Sequence, residues 1–528
     1  MTTIDSPRAT RREWIGLAVI ALPCVLYSMD LTVLNLAVPA LSVDLRPGAS
    51  QLLWIIDIYG FLVAGSLITM GTLGDRIGRR KLLLIGGAAF GVASVLAAFS
   101  KTAGMLIAAR ALLGVAGATL APSTLSLIRN MFHDPRQRTI AVSVWIMSYS
   151  VGAAIGPLLG GLMLQYFWWG SVFLLSVPVM ALLLVLGPRL LPEFRDPKAG
   201  RLDLASAGLS LVTVLAVIYG LKRIAEHGPG WLAALSIAAG VAAGALFVRR
   251  ERTLSDPLID LRLFRAPGFS ASLVTYTLAC FIAFGPYIFI AQYLQLVLGL
   301  SPLQAGLWTL PWSGGFVVGS LLAPMIVRRV RADRLMAAGL VIGAVGLGAL
   351  SLVDGSSGLA VIAAGSLLFS LGLAPVFTLA NDLIIGTAPP ERAGAAAGIS
   401  ETGAELGGAL GIAILGSVGT VIYRSAMARA LPAAIPPDVA TAARNTLGGA
   451  VAAASELPDA LRTTVLGAAR EAFTRGFQRS AVISALIAAG IAILVLARLR
   501  DVHARSESGS GAAKNGATDG EAGAERSA

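Results

Sequence analysis

Charge is scarce in this chain. Asp, Glu, Lys and Arg make up 13% of its 528 residues, about half the share of a typical soluble domain. With 56% hydrophobic residues and a mean hydropathy of +0.78, that scarcity excludes a water-soluble enzyme and a disordered protein. The two cysteines, Cys24 and Cys280, both sit inside apolar runs, which excludes a disulfide-built secreted domain. The three histidines, His133, His227 and His503, fall between runs or in the tail, so neither an intramembrane histidine relay nor a metal site is expected. No Gly-Lys dipeptide occurs, so there is no phosphate-binding loop, no ATP hydrolysis and no cofactor to expect. Alternating ten-residue patterns are also missing, which argues against barrel strands.

What remains is a set of apolar runs long enough to cross a bilayer. Fourteen are expected, the first at Trp14–Ala40 and the last at Phe477–Leu496. The fold class is therefore an all-α polytopic membrane protein with fourteen transmembrane helices: two six-helix bundles plus two extra central helices. Residues 1–13 read as a cytoplasmic N-terminus, 14–187 as the first bundle and 204–248 as the additional pair. Residues 269–500 form the second bundle, with a long external segment at 425–476. That segment, partly amphipathic, reads as a structural cap, or alternatively as part of a substrate exit. The tail, 501–528, is rich in Ser, Gly, Ala and Glu and reads as disordered.

The net charge of +12 is carried by short Lys/Arg clusters between runs, the pattern of cytoplasmic membrane loops and not of a nucleic-acid binder. With both termini cytoplasmic, 29 of the 41 Lys and Arg residues fall on that side. The short external loops would hold only Arg46, Lys101, Lys222 and Arg223, and no lysine would lie within a span.

A charge inside a span is costly and functional by default. Five occur: Asp30, Asp57, Arg110, Glu401 and Glu405. Glu401 and Glu405 lie four residues apart, on one helical face. Carboxylates that close disfavour double ionisation, which suits a site where protons and cations compete. Arg110 is the obvious ion-pair partner for one of the acids. Four acids against one base favour cationic cargo. Aromatic residues near these positions, including Tyr59, Tyr149, Tyr287, Trp308 and Trp312, have faces that attract desolvated cations. A proton moving down about 100 mV releases roughly 2.3 kcal/mol, enough to drive cation export uphill.

Two motifs stand out. Gly71-Thr72-Leu73-Gly74-Asp75-Arg76-Ile77-Gly78-Arg79-Arg80-Lys81 places an acid, an arginine cluster and turn-forming glycines between two spans, as a charged conformational latch would. A fainter copy, Gly319-Ser320-Leu321 followed by Arg328 to Arg334, matches Gly65-Ser66-Leu67 and its following loop, as two similar halves would show. Gly152, Gly156, Pro157, Gly160 and Gly161 form the second motif, small residues four apart that permit close helix contact.

The Gly71–Lys81 loop resembles the signature loop of the major facilitator superfamily, and Gly152–Gly161 is similar to the string associated with its antiporters. Fourteen spans, with Asp30 in Ser28–Asn35 and Glu401–Glu405 in Ile399–Gly407, resemble its drug:proton antiporter branch and the QacA-type quaternary ammonium exporters. The resemblance implies a monomeric proton-coupled antiporter of a bacterial inner membrane. It would export lipophilic organic cations such as ethidium and quaternary ammonium compounds by alternating access. In that reading Asp30, Glu405 and Arg110 handle protons, while Glu401 and Asp57 hold cations. The tenth run, Leu303–Val327, which reads Leu307-Trp308-Thr309-Leu310-Pro311-Trp312-Ser313-Gly314 in its first half, lacks the acid expected of dication exporters, so the resemblance does not extend to efficient handling of dications. The alternative is an exporter of an endogenous metabolite, antibiotic or lipid, with drug transport incidental.

Overall fold

The computed structural model describes residues 8–195, 203–254, 257–259, 261–354, 358–387, 393–432 and 435–499. The expected tail at 501–528, and the first seven residues of the N-terminal segment, lie outside them. Fourteen helices are long and apolar enough to cross a membrane, and no strand occurs among the described residues. The first half contains α1 (Arg11–Leu45), α2 (Ala49–Ile77) and α3 (Arg79–Ala98). It continues with α4 (Ala103–Met131), α5 (Pro135–Tyr166) and α6 (Ser171–Leu190). The extra pair is α7 (Leu204–His227) and α8 (Trp231–Thr253). The second half runs through α9 (Pro267–Gln292), α10 (Pro302–Ile326), α11 (Ala332–Leu350), α12 (Gly358–Gly386), α13 (Ala393–Ala430) and α14 (Asp459–Arg498).

Local chemistry sets the ends. Thr10 and Glu13 form a capping box at the start of α1. Asp203 caps α7, accepting from the Ala205 and Ser206 amides at 3.1 Å each, and Gly228 ends it at φ +80°. Helix α7 thus runs past the expected apolar run, Leu204–Leu221, to His227. Helix α14 is longer still. At 40 residues it is about 60 Å long, roughly twice the hydrocarbon thickness. The amphipathic stretch expected before the last span is therefore continuous with it. Two short helices, Pro437–Asn445 and Leu447–Ala454, fold over the end of α1, where Gly448 approaches Ser42 so closely that a Cβ would lie 2.3 Å from its side chain.

Successive spans joined by short connections run antiparallel, so both ends of the chain emerge at one end of the bundle. The halves meet at the opposite end. There Gly161 of α5 packs against the backbone of Pro302 and Leu303, and Gly306 of α10 against the Pro157 carbonyl. Gln295 donates to the Leu36 carbonyl at 3.0 Å, and Leu53 fills the space beside Gly416. The outer faces carry exposed side chains such as Val92, Leu235, Val241, Leu321 and Leu352, as lipid-facing surfaces do.

Candidate functional site

The intramembrane charges converge on α1, α2, α4, α7 and α13. Arg110, 1% exposed, ion-pairs with Asp30. It also donates to the carbonyls of Ile55 and Ile56, at 3.1 and 3.3 Å. Its guanidinium lies 4.8 Å from the centre of the Tyr59 ring. One cation is thereby satisfied by a carboxylate, two helix carbonyls and an aromatic face, which lets it stay buried.

Glu405 accepts a 2.5 Å hydrogen bond from the Tyr27 hydroxyl, a bond that joins α1 of the first half to α13 of the second. Gly60 lets α2 pass beside this carboxylate; a Cβ there would lie 3.9 Å from Glu405 Oε2. Tyr27 contacts Tyr59 and Tyr149, and Tyr149 contacts Trp145. The Tyr59 hydroxyl is buried without a hydrogen-bond partner. In the second half Tyr287, Trp312, Phe316, Phe377 and Tyr276 form a continuous chain of ring contacts. Trp308 is 37% exposed and joins neither set of rings among the described residues.

Asp57 is paired in a way the sequence did not indicate. Lys222, expected in an external loop, lies inside α7 with its side chain 1% exposed. Its ammonium sits 2.8 Å from Asp57 Oδ1 and 4.0 Å from the centre of the Trp54 ring. The expectation that no lysine occupies a span is therefore corrected. The last turn of α7, held in helix up to Gly228, draws Lys222 below the rim that its charge had suggested. The signal was available in two places: Asp203 and Gly228 are recognisable caps 25 residues apart, and Asp57 needed a cation that Arg110 could not also supply.

With these two pairs formed, Glu401 and Glu405 have no basic partner among the described residues. No cluster of His, Cys, Asp or Glu able to hold a metal occurs among those residues either.

The two motifs are placed as follows. In the first, Arg79 pairs with Asp75 at 2.5 Å across the junction of α2 and α3 and donates to the Pro122 carbonyl of α4. Gly78 adopts φ +112°, and a Cβ there would lie 2.5 Å from Glu193 Oε1. Glu193 accepts from the Arg80 amide and pairs with its guanidinium, binding the end of α6 to the start of α3. Gly71 and Arg76 lie in the last turns of α2. The weaker copy forms a different, local pair, Arg331 with the buried Asp333 two residues on in the first turn of α11, at 3.1 Å. In the second motif Gly152, Gly156 and Gly160 press against Val25, Thr32 and Val33 of α1, while Gly161 faces α10.

Comparison with known proteins decides the family. Residues 20–412 match the Major Facilitator Superfamily. The chain belongs to that superfamily. Its similarity to the multidrug efflux pump LfrA of Mycolicibacterium smegmatis is 44% identity over 493 residues, covering 93% of this chain and 97% of LfrA. It is 35% identical over 489 residues to the methyl viologen resistance protein SmvA of Salmonella typhimurium, covering 92% of this chain and 97% of SmvA. Among solved structures, an inward-facing bacterial homologue of the lysosomal transporter Spinster superposes with a TM-score of 0.67. That match has 17% identity and covers 93% of this chain and 99% of that one.

As a superfamily member the chain is a multi-pass membrane transporter and not an enzyme. Tyr27–Glu405 and the Gly161–Pro302 contact both bridge the halves.

Proposed function

We propose that the chain is a proton-coupled antiporter that exports lipophilic, quaternary ammonium-like cations from a bacterial cytoplasm across the inner membrane. In this reading both termini are cytoplasmic, so the end at which the halves are shut faces outward. The observation that carries the reading is the Glu401–Glu405 pair. These are two half-buried carboxylates without a basic partner among the described residues, one of them hydrogen-bonded across the halves by Tyr27, whose ring contacts Tyr59 and Tyr149. Aromatic faces with a carboxylate take up desolvated organic cations, and a carboxylate can exchange that cation for a proton.

The cycle follows from differential binding. A proton on Glu405 or Asp30 changes the site's affinity for a cation, and the halves exchange access around it. Arg110 positions Asp30, while Tyr287 and Trp312 supply an aromatic wall from the second half. The names of the relatives support this reading: LfrA is a multidrug efflux pump, and methyl viologen, the compound named in SmvA, is a quaternary bipyridinium cation. The protein acts as a monomer with no nucleic-acid partner.

The test is ethidium uptake into proteoliposomes under an imposed pH gradient. Uptake that collapses on adding a protonophore supports cation:proton antiport. Uptake insensitive to the protonophore, or none with folded protein, refutes it.

A further inference from the structure

Lys222 reaches Asp57 from a helix that neither half supplies. Helix α7 packs into the seam between them, where Ile218 is buried against Phe61 of α2 and Ala409 and Ala413 of α13. From that seam Lys222 places its ammonium on Asp57 Oδ1 and over the face of Trp54. Both partners' side chains are all but inaccessible, at 1% and 0% exposure. The other oxygen, Asp57 Oδ2, is buried with no hydrogen-bond partner.

An ammonium seated on a carboxylate and an aromatic face is how a protein binds an organic cation. Here the cation is part of the chain. The arrangement repeats the one at Arg110, which joins Asp30 and the Tyr59 ring. The difference is that Arg110 is also anchored by two α2 carbonyls, whereas Asp57 is the only hydrogen-bond acceptor the structure shows for Lys222 among the described residues. Asp57 lies three residues before Gly60, about one helical turn along α2, and Gly60 passes beside the Glu405 carboxylate.

We propose that Lys222 is a tethered cation that occupies the Asp57–Trp54 site and sets the charge class of the cargo. By holding Asp57 it leaves Glu401 and Glu405 as the carboxylates open to a mobile cation, and it removes the extra negative charge a dication would use one turn away. Lys222 is thus a specificity-determining residue, and Asp57 does not contact the cargo while Lys222 is in place. The inference rests on the cation-transport reading, but its test is a binding measurement that does not depend on proton coupling.

The probes are methyl viologen, a flat dication, and tetraphenylphosphonium, a monocation, titrated calorimetrically into the purified full-length protein. In Lys222→Met the preference for methyl viologen over tetraphenylphosphonium should rise at least about tenfold, the scale of one added charge at several ångströms in a protein-like dielectric. In the double variant Lys222→Met/Asp57→Asn the preference should return to within about threefold of wild type, with monocation binding retained. An unchanged preference in Lys222→Met, with monocation binding intact, overturns the proposal. So does loss of monocation binding in the double variant, which would make Asp57 a direct ligand. If Lys222→Met does not fold, Lys222→Gln, which keeps a hydrogen-bond donor for Asp57 but removes the positive charge, carries the same expectation, and an unchanged preference in it overturns the proposal. A shifted preference together with failure of proton-driven uptake would refute the antiport reading alone.

Discussion

Replacing Gly306 by alanine tests whether the contact between α5 and α10 holds the halves together. A Cβ at this position would lie 2.4 Å from the Pro157 carbonyl oxygen and 3.1 Å from its carbon. The obstruction is backbone, so no rotamer change relieves it, and α5 and α10 must separate by roughly 1 Å to reach an ordinary contact distance. Overpacking of this kind costs about 1–3 kcal/mol. Because the contact is made only where the halves are shut, that cost falls on the shut state and lowers its population relative to the open one by about five- to 150-fold. Gly314→Ala is the matched control: it lies on the same helix, and a Cβ there has nothing within 4 Å. Spin labels at Lys101 and Thr463, both exposed at the shut end, in a background lacking Cys24 and Cys280, report the separation by pulsed electron resonance. Gly306→Ala should broaden and lengthen the distance distribution while Gly314→Ala leaves it as in wild type. Identical distributions in the two variants would refute the role assigned to this contact.

Other perturbations probe different parts of the structure. Arg110→Leu leaves Asp30 without its ion-pair partner and should lower stability by about 3–5 kcal/mol, read as a fall in melting temperature of the purified protein, whereas Asp30→Asn alone should cost less. Tyr27→Phe removes the bond to Glu405 and should cost about 1.5–3 kcal/mol of the shut state, visible as reduced shut-state population with the same spin labels. Gly78→Ala combines φ +112° with collision against Glu193. It should cost about 1–3 kcal/mol and be only partly rescued by Glu193→Ala, since the backbone strain remains. Outside the membrane, the hydrogen bonds from Arg250 hold the Asp203 carboxyl well below the usual carboxylate range. A depressed carboxyl stabilises the fold above its unfolded pKa and loses that contribution as pH falls through the folded value. Asp203→Asn should therefore lower the melting temperature at neutral pH, and the difference should close only in strong acid.

The run pattern made the fourteen spans legible because a helix in lipid must satisfy its backbone internally and show apolar side chains for its whole length. That Arg110 pairs with one of the acids was also legible, since a lone buried base requires an acid; that the acid is Asp30 came from the structure. Lys222 was missed because Leu221-Lys222-Arg223 looks like the start of a basic loop; the caps Asp203 and Gly228 mark it as helical, but only the packing of α2, α7 and α13 brings its side chain to Asp57. The amphipathic stretch before the last span was legible, but its continuity with that span as one helix from Asp459 was not, because hydropathy marks only the apolar run at the end. The bond between Tyr27 and Glu405 joins positions 378 residues apart, a pairing that periodicity along one helix cannot express.

In the proposed cycle the carboxylates exchange protons for cations. Adding tetraphenylphosphonium to purified protein in weakly buffered solution tests it directly, by following the pH. Wild type should release protons on binding, and Glu405→Gln and Asp30→Asn should bind with little or no release. Full proton release from both variants would contradict the assignment.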